Sequence, residues 1–232
     1  MHRIRAITFD LDDTLWEVGP VIKRAEEILW SWLGEHFPRI PDRYSPEEAY
    51  ALRVEAIDKY WDQSHDFRFL RKKVLSHMAR TVGYATDLVD DAFDVFDRAR
   101  NEVELYADVL PALETLTEHF SLIAVTNGNA DLKRIGIRHF FHDVVTAVDV
   151  GAAKPAPEIF EEAVNRAGVD AHETLHVGDH PEIDIAGARE AGLRTAWVNR
   201  SGDGWPEHVA PPDVTVSTLS ELQTVLGPAI DE

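Results

Sequence analysis

Arg5-Ala6-Ile7-Thr8-Phe9-Asp10-Leu11-Asp12-Asp13-Thr14-Leu15 decides the fold. Its first five residues are a short β-favouring run that ends in a cluster of carboxylates. This is the pattern of a buried strand delivering polar side chains at its C-terminal end. Similar runs recur at Ser121-Leu122-Ile123-Ala124-Val125-Thr126, Val144-Val145-Thr146-Ala147-Val148, Thr174-Leu175-His176-Val177 and Thr195-Ala196-Trp197-Val198, with a weaker one at Val214-Thr215-Val216. Helical patterns over 109–118, 157–167 and 183–191 separate most of them. The alternation predicts an α/β fold with right-handed crossovers and a doubly wound, mostly parallel sheet.

The stretch from about Pro20 to Tyr106 breaks this rhythm. It holds no convincing strand and at least four amphipathic helical segments, for example Glu26, Ile28, Leu29, Trp32 and Leu33, or Phe67, Leu70, Val74, Leu75 and Met78. Pro38-Arg39-Ile40-Pro41 and Ser45-Pro46-Glu47-Glu48 mark turns and a helix start inside it. The expected division is therefore an α/β core made of 1–17 and 107–232, with an inserted α-helical unit over 18–106. Gly202 to Pro212 reads as a Gly/Pro-rich loop.

Composition narrows the chemistry. The 232 residues, 44% of them hydrophobic, suffice for a full core. The absence of cysteine removes disulfides, thiolate metal sites and cysteine nucleophiles together, and suits a reducing cytoplasm. A formal charge of -19 argues against a nucleic-acid partner, because the phosphate backbone would be repelled. No apolar run approaches the roughly 20 residues that cross a bilayer, so no membrane partner is expected. Oligomeric state is not legible in the sequence.

Ligands of open α/β sheets bind outside the carboxyl ends of the strands. Four such ends carry chemistry here: Asp10 to Thr14, then Thr126-Asn127-Gly128-Asn129, then Lys154-Pro155, then Gly178-Asp179-His180 with Asp184 beyond. Carboxylates crowded at one sheet edge repel each other and raise their own pKa values unless a cation neutralises them. Oxygen ligands without cysteine or clustered histidine favour a hard ion such as Mg2+. Such an ion also bridges to phosphoryl oxygens. With no cysteine and no evident serine–histidine arrangement, an aspartate is the economical nucleophile.

D-x-D-x-T after the first strand, Thr-Asn after the second, Lys-Pro downstream and G-D-x-x-x-x-D at the fourth together resemble the four motifs of the haloacid dehalogenase superfamily, across nearly the whole chain. The resemblance implies a Rossmann-like core and a helical cap of the first type. It implies that Asp10 attacks phosphorus and that Asp12 protonates the leaving alcohol and then deprotonates water. Asp10, the backbone carbonyl of Asp12 and Asp179 would hold Mg2+, with Asp184 on metal-bound water or on Lys154. Thr126 and the Asn127 amide would hold phosphoryl oxygens, and Lys154 would offset the charge of nucleophile and phosphate. Asp13 is read as a loop-capping residue, and His176 and His180 as structural.

A covering cap favours a small phosphorylated metabolite as substrate. Phe9 to Trp16, Gly19-Pro20-Val21-Ile22 and the run from Ala124 to Ala130 resemble the bacterial phosphatases of flavin mononucleotide and a ribitylaminouracil phosphate of the riboflavin pathway. In the helical insertion, Arg68, Arg71, Lys72 and Lys73 read as a solvated face, or else as a partner for a second substrate anion. Trp16, Trp30, Trp32 and Trp61 are candidates to stack on a ring, Trp16 first among them. Three rivals stand beside the phosphatase. A hydrolytic 2-haloacid dehalogenase resembles this chain in fold but lacks the second aspartate. A receiver-like phosphoacceptor is about half as long and carries its aspartate on a later strand. A catalytically silent phosphate-binding protein would have no use for the complete motif set.

Overall fold

The computed structural model describes residues 4–227. Six strands, β1 (Ala6–Phe9), β2 (Ser121–Thr126), β3 (Asp143–Thr146), β4 (Thr174–Gly178), β5 (Arg194–Val198) and β6 (Val214–Val216), form one sheet in the order β3-β2-β1-β4-β5-β6. Every pairing is parallel. All four residues of β1 and all five of β4 are buried, as central strands covered on both faces require. The strand order reverses between β1 and β4. Parallel doubly wound sheets open their ligand crevice at that point, outside the carboxyl ends of the strands.

The chain divides into two compact units. The described residues up to Glu17 and from Glu104 onward form one, and Val18–Val103 the other. The second unit contains α1 (Val18–His36), α2 (Arg39–Arg43), α3 (Pro46–Lys59), α4 (Phe67–Thr81) and α5 (Leu88–Arg100). On α1, Ala25, Leu29 and Leu33 recur every four residues and are buried; Phe93 and Phe96 of α5 join the same apolar cluster. Ser45 and Glu48 form a capping box at the start of α3, and Asp66 caps α4 by accepting from Phe69 N at 2.8 Å.

The α/β unit adds α6 (Val109–Thr117), α7 (Leu132–Ile135), α8 (Ala147–Val150), α9 (Pro157–Ala167), α10 (Gly187–Glu190) and α11 (Leu219–Leu226). Its strands keep close to the β-favouring runs, with one instructive difference. The third strand stops at Thr146 instead of continuing through Val148, because Thr146 and Asp149 exchange side-chain-to-backbone hydrogen bonds in a capping box that starts α8. The helical pattern over 183–191 is likewise divided into a single wide turn, Pro181–Ala186, followed by α10. No helix among the described residues is long and apolar enough to cross a membrane.

Candidate active site

The loop after β1 is shaped by its own backbone. Asp13 adopts a left-handed conformation, φ 62°, which a short polar side chain tolerates better than a bulky one. That turn lets Asp13 N donate to Trp16 O at 2.7 Å and folds the loop back over the strand end. Trp16 is fully buried, and its Nε1 donates to Asp12 Oδ1 at 2.9 Å. It therefore fixes the Asp12 carboxylate and offers no face for stacking on a substrate ring, contrary to the sequence expectation. Thr14, also fully buried, has its hydroxyl 3.1 Å from Asp10 Oδ2 and 3.1 Å from Asp179 Oδ1.

Asp10, Lys154, Asp179 and Asp184 come together from three separate chain segments. Lys154 Nζ donates to Asp10 Oδ1 and, at 2.7 Å, to Asp184 Oδ1. Asp184 is placed by the wide turn after β4, where its other oxygen accepts from His180 N at 3.0 Å. This requires glycine at 178: a Cβ there would lie 2.4–2.6 Å from atoms of the Asp184 side chain. Glycine at 187 is required similarly, since its Cβ would lie 2.8 Å from Pro155 O, against the segment that carries Lys154. Asn127 clamps the same segment, donating to Lys154 O at 3.0 Å and accepting from Lys154 N at 2.7 Å.

The electrostatics follow from burial. Three carboxylates and one ammonium leave two negative charges in excess when all are ionised. Burial, then the charges of Asp184 and Asp179, hold the Asp10 carboxyl well above its ordinary range despite Lys154. Asp179 is pushed up to about 6 by burial, with Asp184 and Asp13 adding to it. Burial opposes ionisation of Asp184 too, but Lys154 and His176 outweigh it and hold that carboxyl below its usual value. Lys154 is raised in turn, because Asp10 and Asp184 outweigh its own burial.

Ligand oxygens of Asp10, Asp179 and Asp184 all lie within 4.8 Å of one another. Oxygen donors around two uncompensated charges fit a hard divalent cation such as Mg2+. The Asp12 carboxylate does not belong to that group.

His176 is completely buried, 2.8 Å from Thr8 Oγ1 through Nδ1 and 3.4 Å from Asp184 Oδ1 through Nε2. A carboxylate only accepts, so Nε2 carries the hydrogen, and Nδ1 of the neutral ring accepts from Thr8. Burial keeps the ring neutral by lowering its pKa. His180 serves the loop, accepting from Ile183 N through Nδ1 at 3.3 Å. Both histidines are structural supports, as expected. Thr126 ends β2, buried, with Gly128 N donating to its hydroxyl oxygen at 2.9 Å.

Three contributions were missed in the sequence. The motif reading gives Thr14 no role. Asn127 was assigned its backbone amide, whereas its side chain locks the Lys154 segment. Arg200 lies two residues beyond the end of β5, so the strand-end rule could have found it. Its Nε donates to Thr14 O at 2.9 Å while its guanidinium grips both oxygens of Asp108, at 3.0 and 3.2 Å. A cavity of about 710 Å³ opens beside Asp179, walled in part by Asp13, Tyr106, Trp197 and Arg200.

The basic cluster of the helical unit is a solvated face in part: Arg68 and Lys73 are exposed, Arg71 and Lys72 half-buried. Arg71 pairs with Glu26 at 2.9 Å, Lys72 with Asp90 at 2.7 Å, and Lys73 lies over the ring of Phe69.

The family model of haloacid dehalogenase-like hydrolases matches residues 4–192. Among curated proteins, the chain is 27% identical to the 5-amino-6-(5-phospho-D-ribitylamino)uracil phosphatase of Escherichia coli, over 97% of this chain and 98% of that one. It is 35% identical to the glyceraldehyde 3-phosphate phosphatase of Methanopyrus kandleri, over 85% and 84%. Among solved structures, a 2-haloacid dehalogenase from Pseudomonas syringae pv. tomato superposes with a TM-score of 0.91 at 41% identity, over 96% and 98%. With most of the length matched and the strand-end aspartates and lysine gathered at one crevice, the chain belongs to the haloacid dehalogenase-like hydrolases.

Proposed function

We propose that the protein is a Mg2+-dependent phosphatase of small phosphomonoesters that works through an aspartyl-phosphate on Asp10. The observation that carries this reading is the cluster of three carboxylates, two of them buried, around one buried lysine, whose excess of two negative charges suits a divalent cation. Asp10, Asp179 and the Asp12 carbonyl would hold the ion, with Asp184 supporting it. Bound there, it would neutralise phosphoryl oxygens.

An Asp10 oxygen attacks phosphorus, and the bond from phosphorus to the ester oxygen breaks as Asp12 gives that oxygen its proton. Asp12 then takes a proton from water, the water oxygen attacks phosphorus, and the bond to Asp10 breaks, releasing phosphate and restoring both carboxyls. The Trp16 bond keeps Asp12 oriented through both steps. Lys154 steadies the charge on Asp10, while Thr126 and the Asn127 amide hold phosphoryl oxygens. The helical insertion acts as a cap in this reading and restricts substrates to small metabolites. Among these we favour flavin mononucleotide and the ribitylaminouracil phosphate, which the likeness to the E. coli enzyme supports.

A second reading has its own support: the 41% identical structure is that of a 2-haloacid dehalogenase. A departing halide needs no proton, whereas a departing alkoxide does. Asp12 therefore favours phosphate chemistry. The test is to measure phosphate release from p-nitrophenyl phosphate and from a metabolite panel, and halide release from 2-chloropropionate, each with and without Mg2+. Mg2+-dependent phosphate release without halide release is expected, with loss by orders of magnitude in Asp10→Asn. Halide release without phosphate release overturns the assignment. Flavin mononucleotide and the ribitylaminouracil phosphate ranking among the poorest substrates would remove the flavin-pathway assignment alone.

A further inference from the structure

The helical unit contains a cavity of its own, of about 330 Å³, between α1, α3 and α4. Leu29, Leu33, Val74, Leu75 and Met78 make its wall apolar. Arg53 and Arg71 reach it from α3 and α4, and both donate to the same atom, Oε1 of Glu26. Two guanidinium groups thus share one carboxylate. The Arg71 side chain is only 13% exposed and that of Arg53 26%, so the excess positive charge sits where solvent screens it weakly. Glu47, the other acid on the lining, is exposed in the first turn of α3.

From the shared carboxylate, the two guanidiniums and the apolar wall, we infer that this cavity is a binding site for a small organic monoanion, with an apolar or aromatic body seated against α1 and α4. A carboxylate or comparable oxyanion supplies the missing charge, which an arginine fork takes up bidentately. The volume falls at the small end of ligand pockets, roughly 300 to 1,000 Å³, and suits one or two fused rings. Trp30 and Tyr50 on the lining offer faces to such a body. Burial pushes the Arg71 pKa down to about 10, and Arg53 adds to the shift against the pull of Glu26. The Arg71 guanidinium nevertheless stays charged at neutral pH. The site is independent of the hydrolytic reading and involves none of its residues.

The test uses the full-length protein, 2-naphthoate as probe and its neutral counterpart 2-naphthamide as control. Binding is followed by NMR of the tryptophan indole N–H groups and by calorimetry. Naphthoate should bind with a Kd on the order of 1 mM or tighter, and should shift the Trp30 indole resonance while leaving those of Trp16 and Trp197 in place. The amide should bind about tenfold more weakly or worse. Arg53→Gln removes the excess charge and should weaken naphthoate about tenfold, whereas Glu26→Gln releases both guanidiniums and should tighten it. Ala49→Trp, placed on the lining, should fill the cavity and abolish binding. Equal affinity for acid and amide overturns the inference, as does a Glu26→Gln protein that binds no better than wild type. Shifts confined to Trp16 and Trp197 also overturn it, because they place the anion at the aspartate site instead.

Discussion

Replacing Lys154 by methionine keeps the length of the side chain and removes the ammonium bonded to Asp10 and Asp184. The Lys154 side chain is 2% exposed, as is that of Asp184, and Asp10 is 10% exposed, so water cannot take over the lost charge. Removing one partner of a buried ion pair destabilises by about 3–5 kcal/mol. For a chain of this size, that is a fall in Tm of about 6–20 °C, at about 2–4 °C per kcal/mol. Asp184 has its folded pKa below the unfolded value, so its contribution is present above pH about 4 and lost as pH falls through the folded pKa. Lys154 has its folded pKa above the unfolded value. Its contribution is complete below pH about 10.5 and lost as pH rises through the folded pKa. The difference between wild type and Lys154→Met should therefore be largest between about pH 5 and 10, and should shrink in acid as the stranded carboxyls take up protons. Thermal melts in metal-free buffer at several pH values measure this directly. A Tm at pH 7.5 within about 1 °C of wild type would refute the claim that the lysine balances the buried carboxylates.

Four further outcomes are expected. Mg2+ held at the aspartate site would compete with the proton on Asp179, whose carboxyl is pushed up to about 6 by burial, so calorimetry should find its apparent Kd about tenfold weaker at pH 5 than at pH 7; equal values exclude Asp179 as a ligand. The same raised pKa means that ionised Asp179 works against the metal-free fold as pH climbs from about 4 past 6, so saturating Mg2+ should raise Tm more at pH 7.5 than at pH 5. Thr14→Val, close in shape, takes a donor from two carboxylates and should lower kcat about 10- to 100-fold with KM nearly unchanged; a pure KM effect contradicts its place beside the nucleophile. Arg200→Met and Asp108→Asn break the same paired contact, so in melting experiments the double variant should lose clearly less than the sum of the singles.

Much of the α/β architecture was legible because strands buried on both faces must be apolar throughout, and because crossovers between parallel strands must be long enough to carry helices. Asp10, Lys154 and Asp179 stood out by position, each just beyond a strand or its loop. What stayed hidden depends on packing between distant segments. Trp16 has the composition of a ring-stacking residue, and only the left-handed turn at Asp13 reveals that it is folded inward. The Asn127 side chain meets Lys154 across 27 positions, and Arg200 meets Thr14 across 186. Neither separation leaves a periodic trace. The basic run on α4 looked solvated because its acidic partners, Glu26 and Asp90, lie on other helices.

The decision between phosphate and halide chemistry rests on a smaller part of the molecule than the fold does. Asp10, Lys154 and the sheet would serve attack at carbon as well as at phosphorus, since both need an ionised aspartate steadied by a cation. A TM-score of 0.91 to a 2-haloacid dehalogenase therefore measures the shared scaffold and leaves the leaving group open. Asp12 is different. A carboxyl at that position, half-buried and held by the indole of Trp16, can deliver a proton to a leaving alkoxide and recover it from water. The same holds for the charge balance: a site that keeps two carboxylates beyond what its lysine neutralises suits a divalent cation and a phosphoryl dianion, and is poorly suited to drawing in a haloacid anion without one. In a single turnover, Asp12→Asn should thus slow leaving-group release from alkyl phosphates, whose alkoxide needs the proton, far more than from p-nitrophenyl phosphate, whose leaving group is already a stable anion. Equal losses of leaving-group release from both substrates would place the role of Asp12 in holding the loop instead of in protonating the alcohol.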